Sequence, residues 1–155
     1  MNLEISVEFN AWNKKEIKSI VNECAYAVFS EIKLNDNNVE ICFLFTDNDE
    51  IRTLNKTYRG INKPTNVLAF PANLPTGKND EYHIRILGSI ALAFETIEQE
   101  SINQGKSIQN HMKHLIVHGL LHLLGYNHLE TRETEQMEAL EMKILKKLNV
   151  ENPYK

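Results

Sequence analysis

The chain has 155 residues, 42% of them hydrophobic and 25% charged, a size and balance that fit one soluble globular domain with a real core. Its formal net charge of −4 argues against a protein that coats nucleic acid by charge alone, since such domains are strongly basic. No apolar run is long enough to span a bilayer, and the opening segment lacks the pattern of a secretory signal, so a cytoplasmic protein with no membrane partner is expected.

In chain order, Leu3, Ile5, Val7 and Phe9 alternate with polar residues, the period of a half-buried strand. Residues 14–33 place Ile17, Ile20, Val21, Cys24, Val28 and Ile32 on one helical face. Residues 35–38 form a polar turn and 39–45 a second strand. Asp47 or Asp49 can start a short helix that ends near Gly60. A third strand is expected over 65–70, a Pro/Gly/Asn-rich loop over 71–80, and a fourth strand over 83–92. Cys24 and Cys42 each lie in an apolar pattern and read as buried thiols of a reducing compartment.

The second half reads as helices: one over 94–104 with Gly105 as its stop, one capped by Ser107 and running to Leu124 before Gly125, and one over 130–148. The last puts Met137, Leu140, Ile144 and Leu148 inward, and Glu141 falls on the same side. Strands mostly precede helices, an α+β pattern. The expectation is a single domain over residues 1–155, with a four-stranded mixed sheet packed against helices.

Five of the six histidines lie between residues 111 and 128. The helix that carries them is apolar nearly all round, so it is expected to be buried, and buried imidazoles need partners. His114 and His122 are eight residues apart, about 12 Å along a helix, too far to share one ion at bond lengths of about 2.0–2.1 Å. Pairs four apart can chelate. Gly125 can turn the chain back, which brings His128 to His118 and His122. Three neutral imidazoles suit zinc with an open position for water. His111 and His114 read as supporting or merely polar groups, and His83 as an ordinary surface residue.

The spacing His-x3-His-x2-Gly-x2-His matches the metzincin peptidases, which makes a zincin-like scaffold with the metal at a buried C-terminal helix the expectation. Those enzymes carry a general-base glutamate after the first histidine; here that position is Gly119. General-base help is commonly worth about 10²–10⁴-fold, so the scaffold is kept while the peptidase chemistry is lacking.

The segment HGLLHLLGYNH, residues 118–128, resembles the His-Gly-x-Leu-His-Leu-x-Gly-Tyr-Asp-His signature of the YbeY family of bacterial endoribonucleases. LNKTYRGINKPTNVLAFP (54–71) resembles that family's arginine-centred segment and Thr-Asp-Val-Leu-Ser-Phe-Pro strand. LGSIALA (87–93) resembles its Leu-Gly-Asp-Ile strand, and 137–145 its closing Met-x-x-Leu-Glu helix. The resemblance implies one Zn²⁺ per chain, a single-stranded RNA substrate in ribosomal RNA maturation, and contact with the ribosome or a ribosomal protein. It carries metal binding onto His118, His122 and His128, and a functional role onto Arg59, whose guanidinium can clamp a phosphate by two hydrogen bonds. The catalytic pair expected is Arg59 with His118. Asn66, Ser89 and Asn127 stand where the family pattern has aspartate, replacing carboxylates that could orient ligands from behind.

Arg52, Lys56, Arg59 and Lys63 follow helical spacing and could form a basic stripe for phosphates, extended by Lys78 and Arg85. Two other readings compete: a zinc hydrolase of another substrate, such as a peptide or a small molecule, and a ribosome-associated binding protein with a non-catalytic zinc.

Overall fold

The structure, a computed structural model, describes residues 1–72 and 84–154. The chain runs β1 (Asn2–Val7), α1 (Lys14–Glu31), β2 (Val39–Thr46), α2 (Asn48–Arg59), β3 (Val67–Pro71) and β4 (Arg85–Ala93). Three helices follow: α3 (Phe94–Asn103), α4 (Ile108–Leu123) and α5 (Thr131–Lys147). His83 and Lys78 lie outside the described residues.

The four strands form one mixed sheet in the order β1-β2-β4-β3, with β1–β2 and β2–β4 parallel and β3 antiparallel to β4. This is the expected α+β architecture. Alternation along β2 sends Ile41, Phe43 and Phe45 into the main core, where they meet Val21, Cys24 and Val28 of α1 and Ile116 and Leu120 of α4. On the opposite face, a smaller core forms from Ile51 of α2 with Leu68, Ala91 and Ala93. α2 is therefore the element that covers this second face. No helix among the described residues is long and apolar enough to cross a membrane.

Several expected boundaries move by one or two residues. Asn66 precedes β3, and its Oδ1 accepts the Val67 N–H at 2.6 Å. Ile32 caps α1 instead of extending it. Cys24 is buried, and burial pushes its thiol up to about 12. Cys42 departs from the expectation. It is only half-buried, because its side chain falls on the face that α2 covers incompletely.

Two glycines set how closely elements approach the site. Gly88 has φ +142°, and a Cβ there would sit 2.2 Å from the Phe70 carbonyl oxygen. Only glycine tolerates both that backbone and that approach, where β3 ends its pairing with β4 at Pro71. At Gly119 a Cβ would meet Ile90 at 3.1 Å, so α4 rides close on β4. This contact gives a structural reason for glycine at the position where the peptidase motif has glutamate.

Candidate metal centre

The Ser107 hydroxyl caps α4, accepting the Asn110 N–H at 3.1 Å, which starts the helix in register for its histidines. Met112, Leu115, Ile116, Val117, Leu120 and Leu121 are all buried, so the helix is fixed on most of its circumference. His114, His118 and His122 follow at one-turn intervals. Gly125, at φ +98°, then reverses the chain, and the Tyr126 N–H bonds back to the Leu121 carbonyl at 3.0 Å. Asn127 accepts the Leu129 N–H at 3.1 Å, a tight turn around His128.

The result is a cluster. Ligand-capable nitrogens of His118, His122 and His128 lie within 4.8 Å of one another. The rings of His118 and His128 are nearly parallel with centroids 5.0 Å apart, and His122 stands 5.3 Å from His128. His114 stays out of this trio and instead groups with His118 and Glu141, as the 12 Å separation along the helix requires.

Behind the cluster lies a carboxylate whose function the sequence only hinted at. Glu141 of α5 is fully buried. Its Oε1 lies 2.7 Å from His118 Nδ1, and its Oε2 lies 3.2 Å from His114 Nε2 and accepts the Tyr154 hydroxyl at 2.5 Å. Burial alone raises a carboxyl's pKa, yet these hydrogen bonds from His114, His118 and Tyr154 outweigh it and hold Glu141 at about 2. An ionised Glu141 makes Nδ1 of His118 the protonated nitrogen, so Nε2 keeps its lone pair toward the cluster. Burial, with the same contact to Glu141, raises the Tyr154 phenol. His122 is shifted the other way. Burial, then His118 and His128 nearby, push it down to about 4, so it is a neutral donor at neutral pH.

This donor set fits zinc. His118 Nε2 and His122 Nε2 face each other at 3.1 Å. Two nitrogens bound tetrahedrally at about 2.0–2.1 Å would be roughly 3.3 Å apart. Three imidazoles, one of them backed by a carboxylate, form a common zinc environment with one position left over.

One cavity of about 490 Å³ joins this cluster to Arg59, Asn66 and Ala69. Arg59 reaches it because α2 ends there. The Gly60 cap is left-handed at φ 72°, and buried Asn55 donates from Nδ2 to the Lys63 carbonyl at 2.9 Å, tying the following loop to the helix. A buried polar residue on a short helix, such as Asn55, is visible only once the loop is folded against it. Arg52, Lys56, Arg59 and Lys63 of the expected basic stripe are all exposed, and Arg52, Lys56 and Arg59 line two different recesses. Arg52 and Lys56 line a separate recess with Asp49 and Asn62, where Arg52 Nε bonds Asn62 Oδ1 at 2.9 Å. Of the four, only Arg59 lines the histidine cavity; it shares a helical face with Arg52 and Lys56 and differs from them in being the last residue of α2, where the helix meets the groove.

The three residues that replace family aspartates are also accounted for unequally. Asn66 donates through Nδ2 to Glu100 at 2.9 Å, and Glu100 in turn meets His111 Nε2 at 2.9 Å. An aspartate at 66 would face Glu100 as a like charge, whereas the amide completes the network. His111 is thus a buried supporting group whose pKa is lowered by burial against the opposing pull of Glu100. Asn127 shapes the turn at His128. Ser89 lines a different cavity, on the other side of β3, so it orients no histidine.

Comparisons with known proteins bear on this arrangement. The family model of Endoribonuclease YbeY matches residues 2–149. The Endoribonuclease YbeY of Bartonella henselae is 42% identical over 155 residues, covering 99% of this chain and 97% of that protein. That of Bradyrhizobium sp. is 41% identical over 153 residues, covering 97% and 90%. The solution structure of TM1509 from Thermotoga maritima superposes with a TM-score of 0.58 at 22% identity, covering 95% of this chain and 91% of that one, a likeness of fold. With a match over nearly its whole length and relatives above 40% identity, this chain belongs to the Endoribonuclease YbeY family.

Proposed function

We propose that residues 1–155 act as one zincin-like unit, a single-zinc endoribonuclease that cuts single-stranded RNA, with ribosomal RNA in the cytoplasm as the substrate. Family membership supports the RNA-cleaving chemistry. The observation that carries the rest is one cavity in which Arg59 faces three clustered imidazoles. His118, His122 and His128 would hold the ion, with Glu141 fixing the ring of His118. Bound there, zinc supplies Lewis-acid charge at an open coordination position.

The chain's own groups do the rest of the work. Arg59 grips a phosphate by its planar fork and offsets the charge that grows on it during cleavage. His118 serves the reaction by presenting Nε2 in a fixed tautomer, set by Glu141. A backbone phosphate in this groove lies next to edge strand β3, a position a ribosomal protein or rRNA segment can also reach.

The edge strand favours a second reading, hydrolysis of an extended peptide added to β3. Gly119 opposes it, because a general-base side chain is missing at the position where that chemistry needs one. One experiment separates these readings. The purified protein, with zinc quantified, is given a single-stranded rRNA fragment, its duplex and a set of peptides, alongside His122→Ala and a chelated sample. Cleavage of the single strand alone, lost in both controls, is expected. Peptide cleavage would favour the second reading, and no cleavage by folded, zinc-bearing protein would leave a binding role.

A further inference from the structure

Strand β3 has a cavity on each side. The second, of about 850 Å³, lies on the sheet face that α2 only partly covers, and its walls include Leu44, Leu54, Tyr58 and Phe70 with Ser89 and Cys42 among the few polar groups. That volume lies within the range of roughly 300–1,000 Å³ for small-ligand pockets, and an apolar wall with few polar atoms is their usual make-up. Tyr58 is 67% exposed, yet its ring is braced at 5.0 Å from that of Phe70, tilted by 54°. A large aromatic that is braced on one side and open on the other is a stacking surface. Arg59, Ala69 and Pro71 line both cavities. A strand whose phosphate rests on Arg59 in the histidine groove can therefore turn round the β3 edge and place its next base in the second cavity.

We propose that this second cavity is a base subsite, taking one unpaired nucleobase of the RNA against the Tyr58 ring while Arg59 holds the adjoining phosphate. The inference rests on the RNA-cleaving reading above and adds where the substrate's base goes. It also gives single-strand preference a physical cause, since a duplex keeps its bases paired and cannot extend one into the pocket. Stacking on a tyrosine is tolerant of base identity, so the subsite selects an unpaired base before it selects a particular one.

The test uses the zinc-bearing protein and a 2′-O-methyl RNA octamer, in which a single 2-aminopurine is walked through the sequence. Fluorescence reports stacking of that base, and anisotropy reports affinity. Quenching at one register is expected, lost in Tyr58→Ala with an affinity drop of about 5- to 150-fold and kept in Tyr58→Phe. An abasic residue at that register should cost the wild type the same factor and Tyr58→Ala little more. Circular dichroism and zinc content verify that the variants are folded. Binding weakened by Arg59→Ala but indifferent to Tyr58→Ala overturns the subsite, leaves the ribonuclease reading intact and assigns the cavity to another occupant. A folded wild type that binds no RNA overturns both.

Discussion

Glu141 and Asn55 are both buried polar side chains, yet they hold the two walls of the groove differently. On the α4–α5 wall, Glu141 touches a proposed ligand itself, fixing which nitrogen of His118 carries the proton. On the α2–β3 wall, Asn55 donates to backbone, at Lys63, and ties the loop after α2 to the helix, while Arg59 stays exposed. The difference fits the chemistry proposed for each wall. A metal ligand must present a lone pair in one direction at one distance, and burial with a hydrogen-bonded partner gives that rigidity. A guanidinium that meets a polyanion needs reach and charge more than a single pose.

Arg59→Ala should produce the largest effect, a fall in kcat/KM on single-stranded RNA of about 10²–10³-fold, with zinc content unchanged by elemental analysis. Arg59→Lys should recover only part, since an ammonium cannot make the paired contact. Loss of zinc from either variant would break the separation between the walls. Glu141→Gln should weaken zinc binding by about 10–100-fold in a chelator competition, while RNA binding by the metal-free protein stays at wild-type level. An unchanged zinc affinity would mean that His118 keeps its tautomer without the carboxylate.

Asn55→Ala should act through stability, by about 1–3 kcal/mol for a buried hydrogen bond left unmade. It should lower the melting temperature and raise KM for RNA, and leave zinc affinity alone. A pH titration sharpens the α4–α5 wall by itself, in metal-free protein. His122 takes its proton near pH 4 when folded but near 6.5 when unfolded, and Glu141 near 2 when folded but near 4.5 when unfolded. In both windows the unfolded chain binds more protons, so stability falls as pH is lowered, first from 6.5 toward 4 and then from 4.5 toward 2. Urea midpoints measured across that range should decline in both steps, and Glu141→Gln should remove the second.

The amphipathic faces of α1 and α5 and the alternation of β2 were legible because each obeys a period that local geometry imposes: Ile17, Val21, Cys24 and Val28 are buried as their spacing requires. The helix start at Ser107 and the stops at Gly60 and Gly125 were legible for the same reason, since caps are local chemistry, and of the two starts offered for α2 the structure takes Asp47 over Asp49. So was the grouping of His118, His122 and His128, which follows from rise per residue and one glycine turn. These are the features that a few consecutive residues determine by themselves.

What tertiary structure decided lies between distant segments. Glu141 becomes the anchor of His118 only when α5 packs on α4, 23 residues away in sequence. Tyr154 joins them only when the C-terminal segment folds back. The basic residues of α2 share helical spacing but not a recess, because only Arg59, at the end of the helix, stands beside β3 and the histidine cavity. Ser89 and Asn66 read alike in the sequence, yet the sheet puts them on opposite sides of β3, where one lines the apolar cavity and the other completes a network with Glu100. Periodicity tells which face a residue takes, but the partner it meets there depends on long-range packing, which no local pattern encodes.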